Sequence, residues 1–496
     1  MSRKYYLTTT LPYVNAKPHI GFALEIIQAD VLARYHKLCG DEVIFNTGTD
    51  EHGLKIYQKA LAEKRDPQDY CDEYAAKFDA LKSALNLSYN QFIRTTDKHH
   101  VKAAQEFWLR CFKNGDIYKK EYKVKYCVGC ELEKTDSELI DGKCPVHPNL
   151  NLELIEEENY FFKFSKYQKP LLELYDKQAD FVVPKNRLLE IRNFVAAGLQ
   201  DFSVSRLKSK MSWGIEVPND SDHVMYVWFD ALVNYVSTLG WPKDEKNFKD
   251  FWPGIQVAGK DNLRQQSAMW QAMLMSAGLP NSKQVFIHGF VTSQGQKMSK
   301  SLGNVIDPID MVAKYGTDAI RYYLLGAMPS YDDGDCTEEK FKEFYSANLA
   351  NGIGNLNSRI MTMLEKYGWG QPDVGKNNFM FSWKNYEEVL KEFRFDLAVA
   401  QVNELIKQCD QTISTEKPWE KSKSGKDISG LLYELAEALR NIGLALLPII
   451  PHTAEKILKQ FGYKNFDKLN LEDEKEWGKL KSGIKVVKSE ALFPRL

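Results

Sequence analysis

The first hundred residues alternate short apolar runs with helical periodicity. Residues 5–9 form an apolar run of strand length, and residues 12–18 are rich in turn-forming types. From His19 onward, apolar side chains recur every three or four positions, at Ile20, Ala23, Leu24, Ile27, Val31 and Leu32. That spacing places them on one face of a helix. The pattern predicts a strand, a turn and a helix, the first half of a βαβ unit.

The predicted helix start at His19 is a candidate anion site. Unpaired N–H groups and the positive end of the helix dipole meet there, and an imidazole can add a donor to a phosphate. A histidine that only caps the helix explains the same sequence, and on the residues alone it is the better interpretation.

A second strand is predicted at residues 43–47, with a helix from Leu54 and helical stretches near 68–87 and 99–114. Between strand and helix lies the polar segment GTDEHG, residues 48–53. Polar residues at the carboxyl end of a parallel strand lie where open α/β sheets bind ligands. Asp50 can hold an ammonium group there, and a simple polar turn is an equally good explanation.

Residues 119–225 lose the β–α alternation and carry two pairs of metal-ligand residues. Cys127 and Cys130 form the first pair, and Cys144 and His147 the second. Two chelating pairs of this spacing suit a tetrahedral zinc knuckle, which we expect to be structural because no open coordination position is implied. The alternatives are four unrelated residues or a relic knuckle that has lost its affinity for zinc.

Alternation resumes at residues 225–232 and 256–261, and a strand at 285–288 leads into a lysine-containing loop. A βαβ sheet interrupted by a long insertion and then continued is a split nucleotide-binding fold. In the loop, Lys297 and Lys300 lie among turn-forming residues, and such a pair can neutralise the charge of a triphosphate during nucleotidyl transfer. A solvated basic loop is the alternative. Asp307 and Pro308 predict the start of the next helix.

Strands disappear from the pattern after about residue 340. Segments 340–366, 386–411, 427–448 and 452–461 have helical periodicity and predict an α-helical bundle. Asn355 and Arg359 lie on one helix face, and Trp419 lies in a lysine-rich segment predicted to be a turn. An amide, a guanidinium and an exposed aromatic ring can stack on and read unpaired bases. Ordinary surface residues, with the tryptophan covering the core, are the favoured alternative on sequence alone.

Composition narrows the class of protein. The chain has 496 residues, 44% of them hydrophobic and 27% charged, with a formal net charge of -1. A nucleic-acid partner would therefore have to be met by a local basic face. We find neither a signal peptide nor an apolar run of the roughly 20 residues that a membrane span needs, and we expect a cytoplasmic protein. Eight cysteines do not make a disulfide scaffold in a chain of this length, and Cys39, Cys71, Cys111 and Cys409 are expected in the core.

Taken together, these segments resemble the class I aminoacyl-tRNA synthetases, and within them the methionyl-tRNA synthetases. The resemblance rests on motifs spread over almost the whole chain in the family's order: PYVNAKPHIG (12–21), GTDEHG (48–53), the Cys/His knuckle, WGIEVP (213–218), YVWFDA (226–231), GKD (259–261), HGFVTSQGQKMSKSLGN (288–304), DGD (333–335), GNLNSR (354–359) and KPW (417–419). It implies that methionine and Mg-ATP give methionyl-adenylate and that the methionyl group then passes to tRNA(Met).

The resemblance also implies roles for particular residues. The residues expected to stabilise the reacting phosphate are His19, Lys297 and Lys300. The expected amino-acid pocket is Leu11, Tyr13, Asp50, Trp228, Ala231, Tyr235, Gln266 and Trp270. The expected ATP contacts add Gly21, Gly259, Asp261 and His288. The expected anticodon-reading residues are Asn355, Arg359 and Trp419, and the expected zinc ligands are Cys127, Cys130, Cys144 and His147.

The implied organisation is a Rossmann-like parallel sheet split by a connective zinc-knuckle insertion and followed by an α-helical anticodon-binding bundle. The expected boundaries are 1–118 and 226–325 for the halves of the catalytic domain, 119–225 for the insertion, 326–349 for a connecting stem and 350–496 for the bundle. The chain ends soon after the bundle without the appended domain that makes many relatives dimers, so we expect a monomer.

Three positions depart from the family pattern. Phe22 replaces the second histidine of the family's HIGH motif and cannot donate a hydrogen bond. Gln265 and Gln266 replace a phenylalanine–histidine pair in the methionine pocket. The amide of Gln266 can hold a thioether through its NH₂ group. These departures leave two alternatives open: a class I synthetase of altered amino-acid choice, and a tRNA-binding paralogue without catalysis.

Overall fold

The computed structural model describes residues 2–134, 136–298, 304–368, 378–481, 486 and 490–496. In this part of the chain the strands are β1 Lys4–Thr9, β2 Glu42–Thr49, β3 Gln91–Arg94, β4 Ile117–Cys127, β5 Leu132–Lys134, β6 Glu153–Phe162, β7 Val182–Val183, β8 Phe202–Ser203, β9 Ser205–Leu207, β10 Glu216–Val217, β11 Asp220–Met225, β12 Ile255–Gly259, β13 Gln284–His288, β14 Val291–Ser293, β15 Gln296–Lys297 and β16 Gly334–Asp335.

The α-helices of the same described residues are α1 Ile20–Leu38, α2 Leu54–Ala62, α3 Pro67–Asp79, α4 Leu81–Ala84, α5 Lys98–Lys113, α6 Gln168–Lys177, α7 Lys185–Ala196, α8 Val227–Ala231, α9 Asn234–Ser237, α10 Glu245–Phe251, α11 Trp270–Ser276, α12 Pro308–Tyr315, α13 Thr317–Gly326, α14 Glu338–Phe344, α15 Asn355–Tyr367, α16 Trp383–Lys391, α17 Phe395–Glu416, α18 Pro418–Lys423, α19 Ser429–Leu446, α20 Pro451–Lys459 and α21 Leu471–Glu474. Gln265–Met269 and Tyr345–Gly354 are π-helical and run into α11 and α15.

A parallel sheet in the order β3-β2-β1-β12-β13-β7 forms the centre of the catalytic half. Leu7 lies opposite Phe45 on one side and Ile255 on the other. The chain winds from β1 towards β3 in one direction and from β12 towards β13 in the other. The gap between the ends of β1 and β12 is therefore the topological switch point, where open α/β sheets bind ligands. The predicted split parallel sheet is confirmed.

The insertion differs from its prediction in one respect. Residues 168–196 keep a helix–strand–helix pattern, and β7 pairs in parallel with β13 as an edge strand of the central sheet. The expected loss of alternation across all of 119–225 is thus wrong for this stretch. The rest of the insertion forms two small sheets, β5-β4-β6-β8 and β10-β11-β9. Residues 225–232 also differ, because β11 ends at Met225 and α8 follows immediately.

The helical bundle is confirmed, and its helices cover the four predicted segments. The lysine-rich segment around Trp419, predicted as a turn, is the short helix α18. Lys417 takes a left-handed conformation with φ 43° that ends α17, and Pro418 opens α18. Proline favours the first helical position because its fixed φ fits the helix and its missing N–H has no intrahelical partner there.

Arg321 on α13 connects α1 to the helical bundle through a buried ion pair and a hydrogen bond. Asp30 on α1 accepts from Arg321 on α13 at 2.8 Å, and neither side chain is exposed. Arg321 also donates to the carbonyl of Ile449, between α19 and α20, at 2.7 Å. This contact joins α1, which begins at the switch point, to the segment between α19 and α20.

The predicted core cysteines are largely confirmed. Cys71, Cys111 and Cys409 are buried, whereas Cys39 is half-buried at the end of α1. Among the described residues, we find no helix with both the length and the apolar character needed to cross a membrane.

Candidate active site

His19 lies at the start of α1, where the sequence predicted either a phosphate donor or a helix cap. Its Nδ1 accepts from the backbone N–H of Gly21 at 3.1 Å, so the capping role is confirmed. A neutral imidazole that accepts at Nδ1 carries its proton on Nε2. Desolvation lowers the pKa of His19, and Lys297 acts in the same direction. The cap therefore leaves Nε2 as an N–H donor, and the two interpretations are compatible.

The lysine-bearing loop begins as a β-hairpin beside this helix start. β14 and β15 are joined by Gln294 and Gly295, which both have positive φ. Just beyond the loop, the carbonyl of Ile306 accepts from the N–H of Ile20 at 3.0 Å. A Cβ on Gly21 would lie 4.0 Å from the terminal methyl carbon of Met298. The structure thus brings the Lys297 end of the loop to the His19 helix. Lys300 lies outside the described residues.

Gly259, Asp261 and His288 meet at the ends of β12 and β13. A Cβ on Gly259 would lie 2.9 Å from Asp261 Oδ1 and 3.6 Å from His288 Cε1, so the three residues lie close together. His288 faces two acceptors, Gly289 O at 2.7 Å and Glu25 Oε2 at 3.1 Å. Burial acts to lower the pKa of His288, but the hydrogen bond and charge of Glu25 outweigh it, so the pKa is raised.

Glu25 was not predicted as a site residue. It is buried on α1 and also accepts from the backbone N–H groups of Thr10 at 2.8 Å and Gly259 at 3.2 Å. It therefore ties the ends of β1 and β12 to α1 across the switch point. The available signal was a carboxylate inside an otherwise apolar stretch of helix, where an unpaired charge is costly.

Asp50 is the buried acid of the site. It is 2% exposed, and among the described residues its Oδ1 has no hydrogen-bond partner. Burial raises its pKa well above the usual range, and the nearby carboxylates of Asp230 and Glu131 add to the effect. A buried carboxyl group whose oxygen has no partner is costly unless a ligand supplies a donor. Its surroundings suit a cationic group.

Aromatic rings line the neighbourhood of Asp50. Tyr13 forms a backbone bridge with Asp50, and its ring lies 6.0 Å from that of Trp228 in an edge-on arrangement. The Tyr13 hydroxyl and the Trp228 indole N–H have no hydrogen-bond partner. Leu11 is half-buried in the segment before Tyr13. These groups place apolar faces and hydrogen-bond donors in the neighbourhood of Asp50.

The other expected pocket residues lie deeper. Ala231 is 5% exposed at the end of α8, and Trp270 is fully buried, with its ring 5.8 Å from that of Tyr235. Gln266 donates from Nε2 to the Tyr235 hydroxyl at 2.8 Å and accepts at Oε1 from Gln256 at 2.9 Å. Its amide is thus fixed in orientation, with one N–H committed to a protein partner.

Phe22 has an apolar role. Its ring packs edge-on against Phe78 at 5.5 Å between centroids, and it is half-buried beside the core of the catalytic half. The position therefore contributes packing and offers no donor to the crevice.

The four residues of the predicted knuckle come together. The ligand atoms of Cys127, Cys130, Cys144 and His147 all lie within 4.8 Å of one another. Cys130 Sγ lies 3.5 Å from Cys144 Sγ and 3.1 Å from His147 Nδ1. Tetrahedral zinc with Zn–S bonds of about 2.3 Å needs ligand atoms at comparable separations. A Cβ on Gly129 would lie 2.6 Å from His147 Cγ, so this turn also needs glycine. The donor set fits a tetrahedral metal ion.

The expected base-reading residues lie on the bundle. Asn355 is exposed at the start of α15, one turn before Arg359. Arg359 Nη1 pairs with Asp410 Oδ1 on α17 at 2.6 Å. Trp419 on α18 is 37% exposed. The ion pair links α15 to the helix that precedes Trp419.

A split parallel sheet with a histidine-capped helix and a lysine hairpin at its switch point, followed by a helical bundle, defines a class I tRNA synthetase. The family model described as "tRNA synthetases class I (M)" matches residues 5–151 and 148–361, and the model "Anticodon-binding domain of tRNA ligase" matches residues 382–488.

Individual relatives narrow the class. The chain is 41% identical over 521 residues to the methionine–tRNA ligase of Thermosynechococcus vestitus, which covers 100% of this chain and 98% of that protein. It is 40% identical to the methionine–tRNA ligase of Thermotoga maritima, covering 99% of this chain and 80% of that protein. The structure of the Mycobacterium tuberculosis methionyl-tRNA synthetase in complex with methionyl-adenylate is similar, with a TM-score of 0.93, 34% identity and 100% of each chain covered. The chain belongs to the methionine–tRNA ligase family.

Proposed function

We propose that the chain activates methionine with ATP to methionyl-adenylate and transfers the methionyl group to the 3′ end of tRNA(Met). The observation that carries this proposal is Asp50, a buried carboxyl group with a partnerless oxygen beside the rings of Tyr13 and Trp228. A carboxylate for an ammonium group and an aromatic wall for a side chain are what an amino-acid substrate requires.

The phosphate end of the reaction would lie at the switch point. His19 Nε2, Lys297 and Lys300 would stabilise the charge that builds up on the α-phosphate while the substrate carboxylate attacks it and pyrophosphate leaves. Electrostatic stabilisation by such prearranged groups acts mainly in the transition state. Gly21, Gly259, Asp261 and His288 would contact ATP, with Gly259 leaving room for the ribose.

The amino-acid pocket would use Leu11, Tyr13, Asp50, Trp228, Ala231, Tyr235, Gln266 and Trp270. Asp50 would pair with the α-ammonium group. The NH₂ group of Gln266 has two N–H donors, and one goes to Tyr235. The second would face the thioether, held in place by the bond from Gln256 to the Gln266 carbonyl oxygen.

Metal ions would have two roles. Cys127, Cys130, Cys144 and His147 would hold one structural Zn²⁺, which would fix the turns of the insertion. Mg²⁺ would enter with ATP and neutralise its phosphates. Metal content measured on the purified chain, and on a Cys130→Ser variant with a lower expected content, tests the zinc site.

The tRNA would be read at the bundle. Asn355, Arg359 and Trp419 would contact the anticodon. The expected domain boundaries stay at residues 118, 225, 325 and 349, which separate the catalytic halves, the insertion, the stem and the bundle. β7 lies within the residue range assigned to the insertion, although it pairs with a strand of the central sheet.

We also predict a cytoplasmic monomer, and sedimentation of the purified chain tests whether it is a monomer.

The primary test is amino-acid-dependent exchange of pyrophosphate into ATP, measured with each standard amino acid. We expect exchange with methionine above all others, and a Lys300→Ala or Lys297→Ala variant should lose roughly 10²–10³-fold in rate. Lys249→Ala is the matched control, because Lys249 is an exposed lysine paired only with Glu245 on α10. If the wild-type chain shows no pyrophosphate exchange with methionine, the proposal is wrong.

A second candidate is a synthetase of altered amino-acid choice. It is favoured by Gln265, which is buried with an Oε1 atom that has no hydrogen-bond partner. A free acceptor in that region would suit a substrate side chain with a donor. The same exchange panel decides, because this candidate requires a polar amino acid to outperform methionine.

A further inference from the structure

Asp230 is held between two histidines behind the amino-acid pocket. Its carboxylate is fully buried, with Oδ2 at 2.6 Å from His52 Nδ1 and Oδ1 at 2.8 Å from His100 Nε2. His100 Nδ1 lies 2.9 Å from the hydroxyl of Ser237. The three side chains come from the end of β2, from α5 and from α8, so the cluster ties three separate elements together.

His52 connects this cluster to Asp50. The two residues lie on the same short segment after β2, and the backbone N–H of His52 donates to the Asp50 carboxylate. The His52 ring is fixed on one side by Asp230 and on the other by Trp213, whose ring lies 5.5 Å away. Fixing this ring fixes the peptide N–H that orients Asp50.

Asp230 also lies on the opposite wall of the pocket. It belongs to α8, which carries Trp228 and Ala231. The His52–Asp230 bond therefore sets the separation between the Asp50 wall and the Trp228 wall. Asp230 also adds negative charge near Asp50, and the two imidazoles are placed to balance that charge.

We propose that His52, Asp230 and His100 form a positioning relay that sets how Asp50 meets the α-ammonium group of the substrate. The inference rests on the proposed methionine activation and deepens it. None of the three side chains needs to touch the substrate. The relay aims the Asp50 carboxylate through the His52 peptide and compensates the charge of Asp230, so binding of the ammonium group depends on residues outside the pocket surface.

The test compares two probes that differ only in the amino group. Methioninol carries the ammonium group of methionine, and the second probe is the same alcohol with hydrogen in place of that group. Binding of each is measured by calorimetry to the full-length chain. His52→Leu and His100→Leu remove one imidazole each. His52→Asn and His100→Gln restore an N–H at about the position of the lost ring nitrogen that faces Asp230.

We expect each leucine variant to weaken methioninol roughly 10-fold, the lower end of the effect of removing an orienting partner. Binding of the amino-free alcohol should change less than about 2-fold, and the asparagine and glutamine variants should recover most of the methioninol affinity. Thermal unfolding establishes that each variant is folded. If a leucine variant does not fold, Asp230→Asn is used instead, because it keeps the side-chain volume. We expect it too to weaken methioninol and to leave binding of the amino-free alcohol nearly unchanged.

Two results would overturn the relay. If both probes bind more weakly by the same factor, the cluster supports the pocket as a whole. If methioninol binding is unchanged, the cluster does not act on Asp50. Failure of the proposed function is a different result, because it is seen as wild-type exchange that does not respond to methionine. A wild-type chain that exchanges with methionine, combined with either of the two binding results, rejects the relay alone.

Discussion

Two buried aspartates, Asp30 and Asp50, show how differently this protein treats the same chemical group. Asp30, at the junction with the bundle, accepts from Arg34 at 2.7 Å, from Arg321 at 2.8 Å and from Ser88 at 2.6 Å. Burial acts to raise its pKa, but the two arginines outweigh burial and the pKa is lowered. Asp50 has a partnerless oxygen and a raised pKa.

The difference separates a structural charge from a functional one. A buried carboxylate that is fully paired stabilises the packing of the elements that supply its partners. A buried carboxyl left without a partner has a free-energy cost in the unliganded protein, and a ligand can remove that cost. The charge at the junction is fully paired in the free chain, whereas one oxygen of Asp50 has no partner among the described residues.

The largest expected effect is on catalysis. Asp50→Asn should lower methionine-dependent pyrophosphate exchange roughly 30-fold or more, because loss of one partner of a desolvated charge pair costs about 2–5 kcal/mol. Thermal stability should stay the same or rise, since a costly buried acid is removed. If the variant is so much less stable that unfolding explains the whole drop in exchange, the proposal that Asp50 binds the ligand is contradicted.

Asp30→Asn should give the opposite pattern. Removing the charge leaves Arg321 buried without its counter-ion, and breaking a buried pair in this way costs about 3–5 kcal/mol of stability. Urea unfolding followed by tryptophan fluorescence measures the change. The fraction of Asp30→Asn that remains folded should exchange pyrophosphate at the wild-type rate. An unchanged urea midpoint would show that the Asp30–Arg321 pair does not stabilise the junction.

The contributions of Asp30 and Asp50 to the free energy of unfolding should depend on pH with opposite signs, because Asp50, whose folded pKa is raised, loses stability as pH rises through that pKa. The folded pKa of Asp30 lies below its unfolded value, so its stabilisation is present above the usual carboxyl range and is lost as pH falls through the folded pKa. Asp50, with a raised pKa, favours the neutral form in the free chain, whereas an ammonium ligand favours the ionised form.

Methionine affinity should therefore increase as pH rises through the raised pKa of Asp50, and binding should release a proton. Calorimetry in two buffers of different ionisation enthalpy measures that proton. The Asp50→Asn variant is the control, because its side chain has no proton to release. Proton uptake by the wild-type chain would contradict the prediction.

The smallest effect on stability is expected for the Arg359–Asp410 pair in the bundle. The Arg359–Asp410 pair is partly exposed, and such pairs contribute only about 0.2–1 kcal/mol. Arg359→Ala should leave pyrophosphate exchange unchanged and lower the rate of charging of tRNA(Met). Lys407→Ala, on a lysine that is 64% exposed on α17, is the control for a general loss of positive charge. Equal loss of exchange and charging would reject an anticodon role.

Local sequence features predicted a good part of the fold and of the site. The helix beginning after His19 and the helix after Asp307 follow from caps and apolar spacing within a few positions. Turn residues predicted a loop at Lys297, and the structure shows that this loop begins as the β14–β15 hairpin. The cysteine and histidine pairs likewise predicted a cluster that the structure confirms. Phe22 was expected to offer no donor, and the structure adds that its ring packs on Phe78.

Contacts between distant residues escaped sequence reasoning. His52 and Asp230 are 178 positions apart, and Glu25 and His288 are 263 apart, so no local pattern joins them. The pairing of β7 with the central sheet was also missed, because a two-residue strand inside an insertion carries almost no periodic signal.

The sequence by itself predicted most strands and helices of the central sheet and of the bundle, the Cys/His cluster and the helix start at His19. These depend on interactions between near neighbours, which are encoded in spacing. Tertiary structure alone decided which buried charges find partners, because pairing depends on how elements from distant parts of the chain pack together. That packing leaves Asp30 enclosed by arginines and leaves one oxygen of Asp50 without a partner among the described residues.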